Sequence, residues 1–134
     1  MLLITCPVCG NVGDETDFHY GGQAHIRRPA SANPGEVSDE AQRDYLYVRL
    51  NPKGLHFERW RCDRGCAKWF HMARDTVTME IKACYGITEL PPPEIIAQIP
   101  PSNPWYGFFD QRQAEPASTA AEPKNAELES TGER

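Results

Sequence analysis

Two short cysteine knuckles constrain this chain more than any other feature: Cys6-Pro7-Val8-Cys9-Gly10 and Cys62-Asp63-Arg64-Gly65-Cys66. Each can turn two thiolates toward one point, and four thiolates from two such turns complete a tetrahedral zinc shell. Gly10 and Gly65 permit the backbone angles through which amide groups turn back toward sulfur, and Pro7 stiffens the first knuckle. The 52 residues between Cys9 and Cys62 exceed the usual ribbon spacing, so an inserted segment must leave and return between the knuckles. Two other chemistries compete. A disulfide pair suits a secreted protein, but Leu2-Leu3-Ile4 is too short a run for a signal peptide and lacks its basic flank. A redox Cys-x-x-Cys needs a helix N-terminus after a strand, whereas Cys9 runs into the turn-forming Gly10-Asn11-Val12-Gly13-Asp14. Zinc held by Cys6, Cys9, Cys62 and Cys66 is the favoured reading. With all four ligands supplied by the chain, such a metal is structural rather than catalytic.

The segments around the knuckles have strand composition. Leu2–Thr5 and Asp17–Tyr20 flank the first, and Leu55–Arg61 and Lys68–Arg74 flank the second, which becomes the tip of a hairpin. After a turn at Ala73-Arg74-Asp75, residues Thr76–Tyr85 alternate: Val77, Met79, Ile81, Ala83 and Tyr85 face one way, and the odd cysteine, Cys84, the other. Cys84 is therefore not counted as a ligand. One helix is expected inside the insertion, over Ser38–Leu50. Ser38 caps it, Asp39 and Glu40 suit its positive end, Ala41, Tyr45 and Val48 line one face, and Asn51-Pro52-Lys53-Gly54 ends it. The fold class is thus small α+β, a zinc-ribbon-like antiparallel sheet with one inserted helix.

This body spans residues 1–90, a size at which an apolar core alone is marginal and a metal staple is useful. Beyond it, residues 91–110 form a second part. Six prolines between Leu90 and Pro104 predict an extended, polyproline-like arm. The cluster Trp105-Tyr106-Gly107-Phe108-Phe109 ends that arm, and it either folds back on its own domain or anchors into a partner. The smallness of the body favours the partner. Residues 111–134 hold one Leu and no aromatic residue, a composition that predicts a disordered tail.

Charge and motifs exclude several functions. The net charge of −5 opposes generic nucleic-acid binding. Arg59, Arg61, Arg64, Lys68 and Arg74 do interleave with Trp60, Trp69 and Phe70, a pattern that can bind single-stranded nucleic acid. The plainer reading is a strand pair with aromatics inside and arginines outside, paired to acids. His19, His25, His56 and His71 show no nucleophile or acid partner at suggestive spacing and read as surface or hydrogen-bonded residues, with His56 or His71 a reserve ligand. There is no phosphate loop, dinucleotide fingerprint or nucleophile elbow, so no catalytic residue is assigned. No apolar run is long enough for a membrane span, and the chain reads as cytoplasmic. A metal-stapled domain with a long arm has the character of a subunit or adaptor. A free-standing zinc-ribbon protein that binds nucleic acid or regulates is the alternative.

Several strings carry a family resemblance. Cys6-Pro7-Val8-Cys9-Gly10 is followed by the run from Phe18 to Pro29 (FHYGGQAHIRRP), then by Tyr45–Arg49 (YLYVR), Asn51–Gly54 (NPKG) and Glu58–Arg61 (ERWR). Gly65–Phe70 (GCAKWF) and Ala73–Thr78 (ARDTVT) complete the set. In this order they resemble the delta subunit of heterotetrameric sarcosine oxidase. The resemblance implies a cytoplasmic complex of alpha, beta, gamma and delta subunits. It demethylates sarcosine oxidatively to glycine, passes the one-carbon unit to tetrahydrofolate and reduces oxygen to hydrogen peroxide. FAD, FMN and NAD would belong to the larger chains, and this chain would bind Zn²⁺ without taking part in the chemistry. The family's ligands fall on Cys6, Cys9, Cys62 and Cys66. Position 62 departs from members that carry histidine there, which makes the shell all-thiolate, and Arg61, Arg64 and Lys68 are placed to offset its negative charge.

Overall fold

The computed structural model describes residues 2–31 and 33–110, so the expected tail at 111–134 lies outside the described residues. Within them the chain is a small α+β fold with antiparallel sheets. Strands β1 (Leu3–Thr5) and β2 (Val12–Asp14) form a ribbon around the first knuckle. Strands β3 (Phe18–Gln23), β4 (Leu55–Cys62), β5 (Trp69–Asp75) and β6 (Ile81–Gly86) pair in that order into one sheet. The second knuckle is the tip of the β4–β5 hairpin, as its spacing predicts.

Successive strand residues point to opposite faces, and here each face has its own core. On one face Trp60, Cys62, Phe70 and Met72 pack with Phe18 and with Leu2, Ile4 and Cys6 from the knuckle ribbon. On the other, Leu55, Phe57, Ala73 and Tyr85 pack with Ala24 and with Ile95, Ile99, Trp105 and Phe109 from the C-terminal segment. The sheet is therefore held between the cysteine knuckles and the segment after Leu90.

That segment is where the structure departs most from expectation. It is not an extended arm. A short helix, α2 (Pro93–Ala97), starts at the third consecutive proline, because a proline in the first helical turn lacks only an N–H that would be unsatisfied anyway. The proline-free run that follows buries Ile95 and Ile99. The aromatic cluster folds back on its own sheet: Trp105 is wholly buried, 5.0 Å from Phe57 edge-to-face and stacked on Phe109 at 5.7 Å. Asn103 Nδ2 donates to the Leu55 carbonyl at 2.8 Å, where β3 has left the edge of β4. Tyr106 alone of the four aromatics is largely exposed.

The Trp105 indole N–H donates to His56 Nδ1 at 3.0 Å. Burial pushes the His56 pKa below its ordinary 6.5, with Glu58 pulling the other way and Arg74 adding to the lowering. An unfolded chain takes up this proton near pH 6.5, and the folded chain only at lower pH. The contribution is thus complete above pH 6.5 and is lost as pH falls toward the folded value. Acidification from about pH 7.5 to about pH 5 is expected to weaken the Trp105 indole N–H signal in NMR before the fold melts, and a flat profile would contradict this contact.

Three further elements differ from the sequence reading. Helix α1 covers Asp39–Tyr47, with Ser38 Oγ accepting from the Ala41 N–H at 3.1 Å as expected. It stops short of Leu50 because the Arg49 guanidinium donates to the carbonyls of Tyr45, Leu46 and Val48. The expected face does not form a buried seam, since no residue of α1 is buried and Val48 lies beyond it, exposed. The alternation from Thr76 holds only over Ala83–Tyr85: across a register shift opposite Ala73 and Arg74, Ile81 packs beside Cys84 on the knuckle side, while Ala83 and Tyr85 face the other core. β5 runs through Asp75, whose Oδ1 accepts from the Val77 and Thr78 amides, and Val77 and Met79 are left exposed on the resulting turn.

The knuckle-side face also buries one charge. Glu58 is fully buried and accepts from the Trp60 indole at 3.0 Å and from Arg74 Nε and Nη2. Breaking such a pair leaves an uncompensated buried charge. Glu58→Ala is expected to cost about 3–5 kcal/mol, read as a fall in melting temperature, and the double change Glu58→Leu with Arg74→Met should recover much of it. Equal losses in single and double variants would contradict that account.

Candidate metal centre

The two knuckles are built by the same local hydrogen bonds. In the first, the Cys6 amide donates to the Asn11 carbonyl at 2.9 Å and the Gly10 amide to the Cys6 carbonyl at 3.0 Å. In the second, the Cys62 amide donates to the Lys68 carbonyl at 3.1 Å and the Ala67 amide to the Cys62 carbonyl at 2.8 Å. Each loop turns through a left-handed residue just after its second cysteine, Gly10 at φ 76° and Ala67 at φ 58°. The Gly65 expectation is corrected here: that glycine supplies room rather than an unusual angle. A Cβ at position 65 would stand 2.6 Å from Cys62 Sγ and 3.0 Å from Cys9 Sγ. Gly65→Ala is expected to lower metal affinity at least tenfold in a competition titration with a chelator, since the thiols must move apart to admit the methyl. An unchanged affinity would show that the close approach is immaterial.

The four thiols converge. Cys6 Sγ lies 3.7 Å from Cys66 Sγ, Cys9 Sγ lies 3.8 Å from Cys62 Sγ, and all four fall within 4.8 Å of one another. A tetrahedron with metal–sulfur bonds of about 2.3 Å has edges of about 3.8 Å. The spacing therefore suits a metal ion, whereas a disulfide would need sulfurs about 2.0 Å apart. Cys6 and Cys62 are buried, Cys66 is partly covered and Cys9 is exposed at the rim.

The environments of the thiols differ. The Asn11 amide, followed by that of Cys66, holds Cys9 down to about 6, which favours the thiolate. Burial pushes Cys62 up to about 11. A bound cation reverses such a penalty, because a coordinating thiol is deprotonated outright. Asn11 Nδ2 also approaches Cys62 Sγ at 3.9 Å, a contact that sequence reading did not assign. The expected local cations are largely committed elsewhere: Arg61 pairs with Asp63, and Arg64 lies 3.8 Å from Asp17.

Cys84 stands apart from the four, partly buried against the knuckle-side core, where burial pushes its pKa up to about 11. The reserve histidines are not ligands: His56 holds the Trp105 indole and His71 lies against His25. Of the two alternatives, surface or hydrogen-bonded, His19 takes the first, while His25 and His56 are buried and hydrogen-bonded to the Tyr85 hydroxyl and the Trp105 indole, and His71 is buried beside His25. The interleaved basic and aromatic residues do not make a stacking surface either. Trp60 and Phe70 are core residues, Arg74 is tied to Glu58, and Arg59 and Arg61 both lie over Trp69. Among the described residues no helix is long and apolar enough to cross a membrane.

Fold and site together define a small α+β protein whose two knuckles bring four thiols within reach of one metal ion. Residues 3–87 match the family model described as "Sarcosine oxidase, delta subunit family", and the chain belongs to that family. Among similar proteins, "Sarcosine oxidase subunit delta" of Corynebacterium sp. (strain P-1) is 48% identical over 98 residues, covering 73% of this chain and 96% of that one. The protein of the same name from Arthrobacter sp. has the same identity and coverage. That of Rhizobium meliloti (strain 1021) is 42% identical over 82 residues, 61% of this chain and 83% of that one.

Proposed function

We propose that this chain is the zinc-binding delta subunit of a heterotetrameric sarcosine oxidase, with Cys6, Cys9, Cys62 and Cys66 holding one structural Zn²⁺. The observation that carries the reading is a four-thiol cluster with tetrahedral spacing in a member of this family. All four positions of the shell are filled by the chain, so the metal staples the fold and activates no water. In this reading the chain supplies no catalytic residue. The alpha, beta and gamma subunits carry FAD, FMN and NAD and perform the chemistry in the cytoplasm. There sarcosine is oxidised to glycine, tetrahydrofolate accepts the one-carbon unit and oxygen becomes hydrogen peroxide.

The surface suits an assembly chain with no membrane or nucleic-acid partner. Helix α1 buries none of its residues, and Leu46, Tyr47 and Val48 at its C-terminal end are exposed. Residues 1–90 and 91–110 act as one folding unit in this account, because each supplies half of the core on the far face of the sheet. Purification of the tagged full chain from its native host is expected to bring down three larger chains with a flavin absorption spectrum. Recovery of the chain alone, or with nucleic acid released by moderate salt, would overturn the assignment.

A further inference from the structure

The C-terminal segment covers only part of the face on which it packs. Along β4 that face presents Leu55, Phe57, Arg59 and Arg61, and only the first two join the buried cluster with Trp105 and Phe109. Beside Arg59 a cavity of about 260 Å³ opens, lined by Gln23, His25, Ile26, Arg59, His71 and Ile87. No aspartate or glutamate stands on its wall, and Arg59 is its one permanent charge.

Arg59 differs from its neighbours in its partners. Arg61 has Asp63, Arg64 has Asp17 and Arg74 has Glu58. Arg59 donates through Nη2 to the Gly21 carbonyl at 3.1 Å and lies over the Trp69 ring at 5.0 Å. Among the described residues no carboxylate pairs with it. Its Nε and Nη1 remain available on the fork that matches a carboxylate. Gln23 Oε1 accepts from the Leu50 amide at 2.7 Å, which leaves its NH₂ end as a donor.

Of the rest of the wall the two histidines are buried, Gln23 and Ile26 are partly covered and Ile87 is exposed at the mouth. The rings of His25 and His71 are 4.3 Å apart, both residues are buried, and His25 Nε2 is hydrogen-bonded to the Tyr85 hydroxyl at 2.6 Å. His25 is held at φ 58°, a left-handed conformation that strains a non-glycine residue and recurs at ligand clamps.

We propose that this cavity is a carboxylate-binding site in which Arg59 is the charge partner and Gln23, His25 and His71 form the polar wall. A monovalent carboxylate matches the single fixed positive charge, whereas a phosphate would bring nearly two negative charges. The volume lies below that of drug-sized pockets, so the occupant is a small carboxylate or one acidic side chain of another polypeptide. The inference rests on the cavity alone and is independent of the subunit assignment.

The test is an NMR titration of the zinc-loaded full chain, following the ring Cε1–H signals of its histidines. Sodium acetate is compared with sodium chloride at equal ionic strength and with acetamide, its neutral isostere. Saturable acetate shifts are expected at His25 and His71 and not at His56, with acetamide and chloride silent. Arg59→Gln should weaken acetate binding by about tenfold or more while the His56 signal stays in place, and Arg59→Lys should retain part of it. A blocked Gly-Asp-Gly peptide binding more tightly than acetate identifies a polypeptide as the source, and its exclusion identifies a free small acid. Acetamide titrating like acetate, acetate shifts no larger than those of chloride, or wild-type affinity in Arg59→Gln would each overturn the proposal.

Discussion

Stripping the metal from this chain, or replacing one of the four thiols, is expected to unfold it. Cys6 and Cys62 are not appendages of the knuckle-side core but members of it, packed with Ile4, Phe18, Trp60 and Phe70. Without the cation the four thiols no longer tie the two knuckles together, and the knuckle ribbon is held to the sheet by packing alone. Structural zinc contributes an apparent ~10–16 kcal/mol in small zinc-binding peptides, against a total stability of about 5–15 kcal/mol for an ordinary domain. Losing even part of the metal term therefore removes the fold. Chelation of the full chain should abolish the cooperative thermal transition in circular dichroism, and re-addition of Zn²⁺ should restore it. Cys62→Ser should bind little zinc and melt far lower, while Cys84→Ser should keep one zinc per chain. A chelated chain that melts like the untreated one would refute a stapling role.

Truncation after Leu90 is expected to be as damaging. It removes Ile95, Ile99, Trp105 and Phe109, which complete the core on the far face of the sheet. Burying such a side chain is worth about 1.5–3 kcal/mol, so four of them contribute about 6–12 kcal/mol, comparable to the whole stability of a small domain. The truncated chain should be unfolded or aggregated even with zinc bound. Trp105→Ala alone should cost about 3–5 kcal/mol. A folded 1–90 fragment with a near-native transition would show that the C-terminal segment is a separable arm after all.

The cysteine spacing, the β4–β5 hairpin and the Ser38 cap were legible because each is decided locally, by residues a few positions apart. The family too was legible, since the shared strings lie in order along most of residues 3–87. What escaped was decided by tertiary contact. Proline count argued for an extended segment, but the space beside Phe57 and the open edge of β4 offered the aromatics a site that composition cannot reveal. Glu58 gave no sign that it would be buried, because its partner Arg74 lies sixteen residues away on the next strand. The alternation from Val77 to Tyr85 is kept only from Ala83 onward; a register shift beside Arg74 turns Ile81 to the knuckle side, and Val77 and Met79 lie on the turn that Asp75 organises. The role of Gly65 is not legible locally, since a close sulfur contact across two knuckles leaves no mark in the neighbouring sequence.

The central claim is that one zinc ion sits in a shell of four cysteine sulfurs. X-ray absorption at the zinc edge, recorded on the purified full chain with its metal content measured in parallel, tests it most directly. One zinc per chain with four sulfur neighbours at about 2.3 Å is the predicted result. A chain without zinc, or a shell containing nitrogen or oxygen at about 2.0–2.1 Å, would contradict it.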